Sequence, residues 1–190
     1  MGQSMDTVPL RNAIFGRRSV RAFSPDRIDA LTLRALLAAA VRAPTAMHGE
    51  PWQFVIVQNP ELLKHLSERA IEGLAADAAR LGAGRDILSQ PGFNVFYDAG
   101  SLIVICAKSD GQFAQADCWL AAQNLMLTAY AMGLGSCVIG MAVPMLNLPE
   151  VKLELGIPPE STAVVPIIVG KPRSESWPAA RHEPQIVAWR

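Results

Sequence analysis

Gln115-Ala-Asp-Cys-Trp-Leu-Ala-Ala-Gln-Asn-Leu-Met-Leu-Thr-Ala-Tyr-Ala-Met132 is the stretch that decides how this chain folds. It predicts a long helix over about residues 115–132. Trp119, Leu120, Leu125, Met126, Leu127, Tyr130 and Met132 lie all round its circumference, the pattern of a helix surrounded by protein. Asp117, Gln123 and Asn124 interrupt the apolar run, which falls short of the roughly 20 residues that a bilayer crossing needs. A chain of 190 residues has few elements left to cover such a helix from every side. A homodimer with this helix at or near the interface is therefore expected.

Outward from the helix, residues 101–107 (Ser-Leu-Ile-Val-Ile-Cys-Ala) and 163–169 (Ala-Val-Val-Pro-Ile-Ile-Val) read as buried strands, with Pro166 confined to an edge or an irregularity. Residues 52–57 (Trp-Gln-Phe-Val-Ile-Val) read as another. A short helix over 5–15 is expected to stop at Gly16, and Asp29 is a fair N-cap for a helix to about Arg42. Residues 60–81 read as one or two helices. Residues 85–97 have no period and read as a connector or as a segment over a pocket. From residue 177 to the end, Pro178, Pro184, Ile186, Val187 and Trp189 form an extended, sticky arm suited to a partner's sheet edge. The whole of 1–190 is read as a single domain.

Composition narrows the functions. Half the residues (51%) are hydrophobic and 18% are charged, enough apolar material for a sizeable core. Seventeen basic residues balance seventeen acidic ones, so no overall field recruits nucleic acid or an anionic membrane. Cys106, Cys118 and Cys137 are odd in number and lack the close pairing of a zinc site or redox motif. No metal is expected. Free thiols and the lack of a signal-peptide pattern point to the cytoplasm.

Two segments carry chemistry. In Phe15-Gly16-Arg17-Arg18-Ser19-Val20-Arg21-Ala22-Phe23, alternation turns Arg17, Ser19 and Arg21 one way while Arg18 and Val20 point elsewhere. Guanidinium forks and a hydroxyl suit a phosphate, although a solvated basic link has the same composition. Ala43-Pro44-Thr45-Ala46-Met47-His48-Gly49-Glu50-Pro51 breaks regularity with two prolines and a glycine, and reads as a shaped loop.

Taken in order, Arg17-Arg18-Ser19-Val20-Arg21, Ala43-Pro44-Thr45, Pro51-Trp52-Gln53-Phe54, Gln123-Asn124-Leu125-Met126-Leu127, Gly133-Leu134-Gly135-Ser136-Cys137 and Val169-Gly170-Lys171-Pro172 resemble the nitroreductase family of FMN-dependent oxidoreductases. The resemblance implies an α+β fold, a central mixed, mainly antiparallel sheet wrapped by helices, in an intertwined homodimer with FMN at the subunit interface. It implies phosphate contacts from Arg17 and Ser19, with Arg18 alongside, and places Arg21 near the ribityl chain and the pyrimidine edge of the ring. Pro44, Thr45 and Ala46 match the loop that covers the flavin from the other subunit, with His48 beside them. Val138, Ile139, Gly140 and Met141 match the segment at the flavin's other edge, where a backbone N–H, that of Gly140, reaches N5. Arg181 best matches a late phosphate-binding cation, with Lys171 and Arg173 as competing placements.

The implied activity uses NADH or NADPH to reduce nitro compounds, quinones or similar small acceptors by a ping-pong two-electron cycle, the flavin itself being the reacting centre. Dehydrogenation, desaturation or reductive dehalogenation on the same fold, or flavin binding without catalysis, are the alternatives. The chain departs from the family's usual pattern at His48-Gly49-Glu50, where an imidazole and a carboxylate either change substrate choice or cap the loop locally. Asn94 is the only nearby residue of the right type to meet the ring in the central segment.

Overall fold

Three of the apolar runs become strands β1 (Trp52–Val57), β2 (Ser101–Ala107) and β4 (Thr162–Gly170), and a fourth, β3 (Gly135–Val138), joins them. The computed structural model describes residues 8–76, 88, 90, 92–108, 111–174 and 180–190. The sheet runs β1-β2-β4-β3 with every neighbouring pair antiparallel. The mixed character expected of it reduces, among the described residues, to one isolated parallel bridge between Ser19 and Ser136.

All seven residues of β2 are buried because both faces of the sheet are covered. Leu102, Val104 and Cys106 face one core with Leu63, Leu66, Phe96 and Leu146, while Ile103, Ile105 and Ala107 face another with Leu33, Leu36, Leu125 and Ile167. Period-2 alternation hidden inside a continuous apolar run is the signature of a strand buried on two sides. Helices α1 (Leu10–Gly16), α2 (Ala30–Ala40), α3 (Pro60–Ala76), α4 (Gln112–Ala131), α5 (Val143–Leu146) and α6 (Pro149–Leu155) surround this sheet. The architecture is α+β, as expected.

Some details differ from the sequence reading. α4 begins at Gln112, a turn earlier, and α1 at Leu10. Residues 5–7, 77–81 and 177–179, parts of three predicted segments, lie outside the described residues, as does most of 85–91. Pro166 sits in an interior strand, and the irregularity is beside it: Ile105 pairs with Val165 and Cys106 with Ala163, leaving Val164 bulged. β1 lies at a sheet edge, so Ile56 is exposed. Around α4, Cys118, Ala121, Ala122, Leu125 and Ala129 are buried, but Phe113, Trp119 and Leu120 are 64%, 50% and 45% exposed. One chain thus leaves one face of its apolar helix bare. Residues 180–190 are exposed throughout, without regular structure. Among the described residues no helix is long and apolar enough to cross a membrane.

Asp29 does cap α2: its carboxylate accepts the Thr32 N–H at 2.9 Å and the Thr32 hydroxyl at 2.7 Å. The first of these bonds, then the second, holds its pKa below the ordinary carboxylate range. A depressed folded value means stability that is present above the unfolded pKa near 4 and lost as pH falls through the folded value. Asp29→Ala should lower thermal stability at pH 7, and the gap from the parent should close on acidification, as pH-dependent melting will measure. The three cysteines are buried and unpaired, and burial pushes Cys106 up to about 11 and Cys118 to about 12.

Candidate active site

The arginine segment is laid along the β3 edge of the sheet. Ser19 bridges Ser136, with Val20 N–H donating to Ser136 O at 3.1 Å, and Phe23 bridges Pro172. Ser24 N–H donates to Lys171 O and Arg173 N–H to Ala22 O. Three glycines leave room for the side chains that seat it, Tyr130 of α4 and the segment's own Val20 and Phe23. Tyr130 packs where a Cβ on Gly16 would stand, a Cβ on Gly135 would lie 2.8 Å from Val20 Cβ, and one on Gly170 would lie 2.9 Å from Phe23 Cδ1. Sequence reasoning used Gly16 only as a helix stop. The need for all three glycines comes from residues distant in the chain.

So placed, Arg17, Ser19 and Arg21 gather around buried Cys137. Burial raises the thiol's pKa, while the Arg21 charge, a hydrogen bond from Ser19 and the Arg17 charge oppose the rise. Arg17 itself has a lowered pKa, first because it is partly buried, then because the Arg18 and Arg181 charges repel its proton. Arg181, on the C-terminal arm, is therefore brought to this cluster. No carboxylate among the described residues pairs with Arg17, Arg21 or Arg181. Arg18 turns back: its Nη1 donates to Phe15 O at 2.9 Å and Arg17 O at 2.8 Å, and its buried Nε has no partner.

The other two basic placements lie differently. Lys171 Nζ is 4.0 Å from Asp26 Oδ2. Arg173 lines a cavity of about 630 Å³ with Asn94, Phe93, Lys64 and Arg27, and none of Arg17, Ser19 and Arg21 borders it. Asn94 is occupied locally, donating to Asp98 Oδ1 at 3.0 Å and accepting the Phe96 N–H at 2.8 Å.

Beyond Val138 the chain leaves the sheet. Val138 is half-buried, Ile139 N–H is committed to Pro166 O at 2.9 Å, and Gly140, itself exposed, opens a 3-10 turn (Gly140–Ala142) that ends in buried Ala142. The first N–H of such a turn has no acceptor within it, so Gly140 offers a backbone donor at this edge. Met141, half-buried, follows.

The loop of Pro44, Thr45, Ala46 and His48 lies elsewhere. A 3-10 turn (Ala46–His48) sits against the first half of α4, where Ala46 N–H meets the Asp117 carboxylate at 3.2 and 3.3 Å. Pro44 and His48 are exposed, Thr45 and Ala46 half-buried. Tyr130, which packs on Gly16, stands thirteen residues further along α4. At 1.5 Å per residue that is about 20 Å. The loop and the arginine cluster of one chain therefore occupy opposite ends of one helix.

The sequence model of the nitroreductase family matches residues 14–171. An NADH dehydrogenase of Thermus thermophilus is 29% identical, the match covering 100% of each chain. Protein DrgA of Synechocystis is 31% identical over 93% of this chain and 89% of its own. A crystal structure of a nitroreductase with bound FMN from Bacteroides fragilis has the same fold, with a TM-score of 0.83, 27% identity, and coverage of 96% of this chain and 98% of that one.

Proposed function

Because this chain belongs to the nitroreductase family, we propose that it is an FMN-dependent oxidoreductase working as a homodimer, with NADH or NADPH as donor and nitro compounds, quinones or similar small molecules as acceptors. The observation that carries the reading is the arginine cluster: Arg17 is partly desolvated among like charges, and no described carboxylate answers them. A phosphate dianion is the partner such a cluster is built for. Arg17, Ser19 and Arg181 would hold it. Lys171 is already beside Asp26, and Arg173 lines a different cavity, which favours Arg181 among the three late cations.

Arg21 brings positive charge toward the pyrimidine edge of the ring, and the free Gly140 N–H stands where a donor orients the opposite edge. When bound, FMN supplies the two-electron carrier between nicotinamide and acceptor. A donor that leaves before the acceptor enters gives ping-pong kinetics. The fit extends to the assembly. The covering loop and the arginine segment pack against points of one helix about 20 Å apart, which supports a loop that covers a second copy's cluster rather than its own. The bare Phe113, Trp119 and Leu120, together with an arm carrying exposed Ile186, Val187 and Trp189, are the apolar surface that copy would bury.

The test is the visible spectrum of the purified protein before and after anaerobic NADH or NADPH, followed by steady-state turnover with a nitroaromatic. A yellow protein bleached by one donor and recoloured by the acceptor is expected. Failure to take up FMN sinks the cofactor assignment; bleaching without turnover sinks the acceptor class alone.

A further inference from the structure

Between Thr45 and Pro51 the backbone holds three non-glycine residues in the left-handed region: Met47 at φ 51°, His48 at 54° and Glu50 at 39°. Side chains rarely adopt this conformation, and three such residues within four positions persist only where the surroundings over-determine them. Two fasteners are present. At one end Asp117, a carboxylate only 5% exposed, takes the Ala46 N–H with both oxygens. At the other end Lys108 donates its backbone N–H to Pro51 O at 2.7 Å and its ammonium to Glu50 O at 3.1 Å. What the fastened loop displays is Met47, 90% exposed, and exposed His48. A buried carboxylate that holds a backbone N–H beneath two strained, outward-facing side chains is an expensive way to shape a loop whose only task is connection.

We propose that Asp117 is a positioning residue for substrate selection: through Ala46 it fixes Met47 and His48 so that both face the acceptor side of the partner subunit's flavin site. The assignment deepens the functional reading above and rests on it. Asp117 does not touch the acceptor. It acts by keeping two contact residues in one arrangement, so its loss is felt by the acceptor more than by the electron transfer itself.

Two routes remove the same bond. Asp117→Leu deletes the acceptor. Ala46→Pro deletes the donor without touching the core, since Ala46 is the first residue of its turn and Thr45 before it is extended (φ −131°, ψ 147°), a backbone that accepts a following proline. Asp117→Asn keeps a carbonyl acceptor. In the flavin-loaded protein, amide hydrogen exchange across residues 46–50 should quicken about tenfold or more in Asp117→Leu, as expected when a hydrogen bond to a charged group is lost. The KM for a nitroaromatic should rise about tenfold in both Asp117→Leu and Ala46→Pro, with kcat changed less than about threefold, and Asp117→Asn should recover most of that rise. Unchanged exchange in Asp117→Leu, equal losses in kcat and KM, or an Asp117→Asn that behaves like Asp117→Leu would overturn the assignment. If Asp117→Leu does not fold, Ala46→Pro and Asp117→Asn decide by the same KM criterion. If the parent protein takes up no FMN, the functional reading falls on its own, and exchange across residues 46–50 in the flavin-free chain still shows whether Asp117 holds the loop.

Discussion

Arg17→Ala combined with Arg21→Ala should yield a colourless protein that is at least as heat-stable as the parent without FMN. The two halves of that result have different causes. Each arginine removed takes with it charge-assisted hydrogen bonds to an anionic ligand, worth about 1.5–3 kcal/mol apiece. Together they weaken FMN binding by about a hundredfold to ten-thousandfold. The stability half follows from Arg17's lowered pKa. Its partly buried charge sits beside Arg18 and Arg181, so the empty fold disfavours that charge and loses nothing when it goes. Fluorescence titration with FMN and a melting curve without it will measure the two. A variant that binds FMN as tightly as the parent refutes the phosphate site. One that is colourless only because it has melted shows the segment to be structural. Arg17→Lys, which keeps charge but not the fork, should fall between.

The second large effect is on the fold. Gly100 precedes β2 and lies against the link between the arginine segment and α2. A Cβ there would stand 2.5 Å from Asp26 O, 2.9 Å from Asp26 C and 3.2 Å from Arg27 Cα. Every one of these neighbours is backbone, so no side chain can swing aside. Gly100→Ala should cost about 2–3 kcal/mol, the penalty of overpacking without relief. That corresponds to a drop in Tm of roughly 4–12 °C for a chain of this size. Gly73 is the contrast: it lies inside α3, and a Cβ there would meet nothing within 4 Å. Gly73→Ala should stabilise by about 0.5–1 kcal/mol through helix propensity. Urea melts of the pair check the sign of each, and a neutral Gly100→Ala would mean that the 26–27 link moves freely.

What could be read in advance was what depends on near neighbours. β1, β2 and β4 declare themselves because strands enclosed by helices are apolar at nearly every position. Asp29 declares α2 because capping spans three residues. The alternation of Arg17, Ser19 and Arg21 is equally local, and the three do gather round Cys137. β3 is the opposite case. Gly-Ser-Cys-Val is too short to show a period, and it becomes a strand only by pairing with β4 and receiving Ser19. The fastening of the 44–50 loop was equally hidden, since Asp117 lies 71 positions from Ala46. The late cation nearest the cluster, Arg181 rather than Lys171 or Arg173, is decided by the path of the arm, which no local pattern records.

The roughly 20 Å of α4 between the contacts of the 44–50 loop and of the arginine segment has a genetic consequence. If each flavin site is a mosaic of two chains, an allele defective in Arg17 and an allele defective in the loop injure different halves of it. In a mixed pair one site inherits both lesions and the other inherits neither. Two individually inactive alleles expressed together would then restore activity, whereas two lesions in the arginine segment would not.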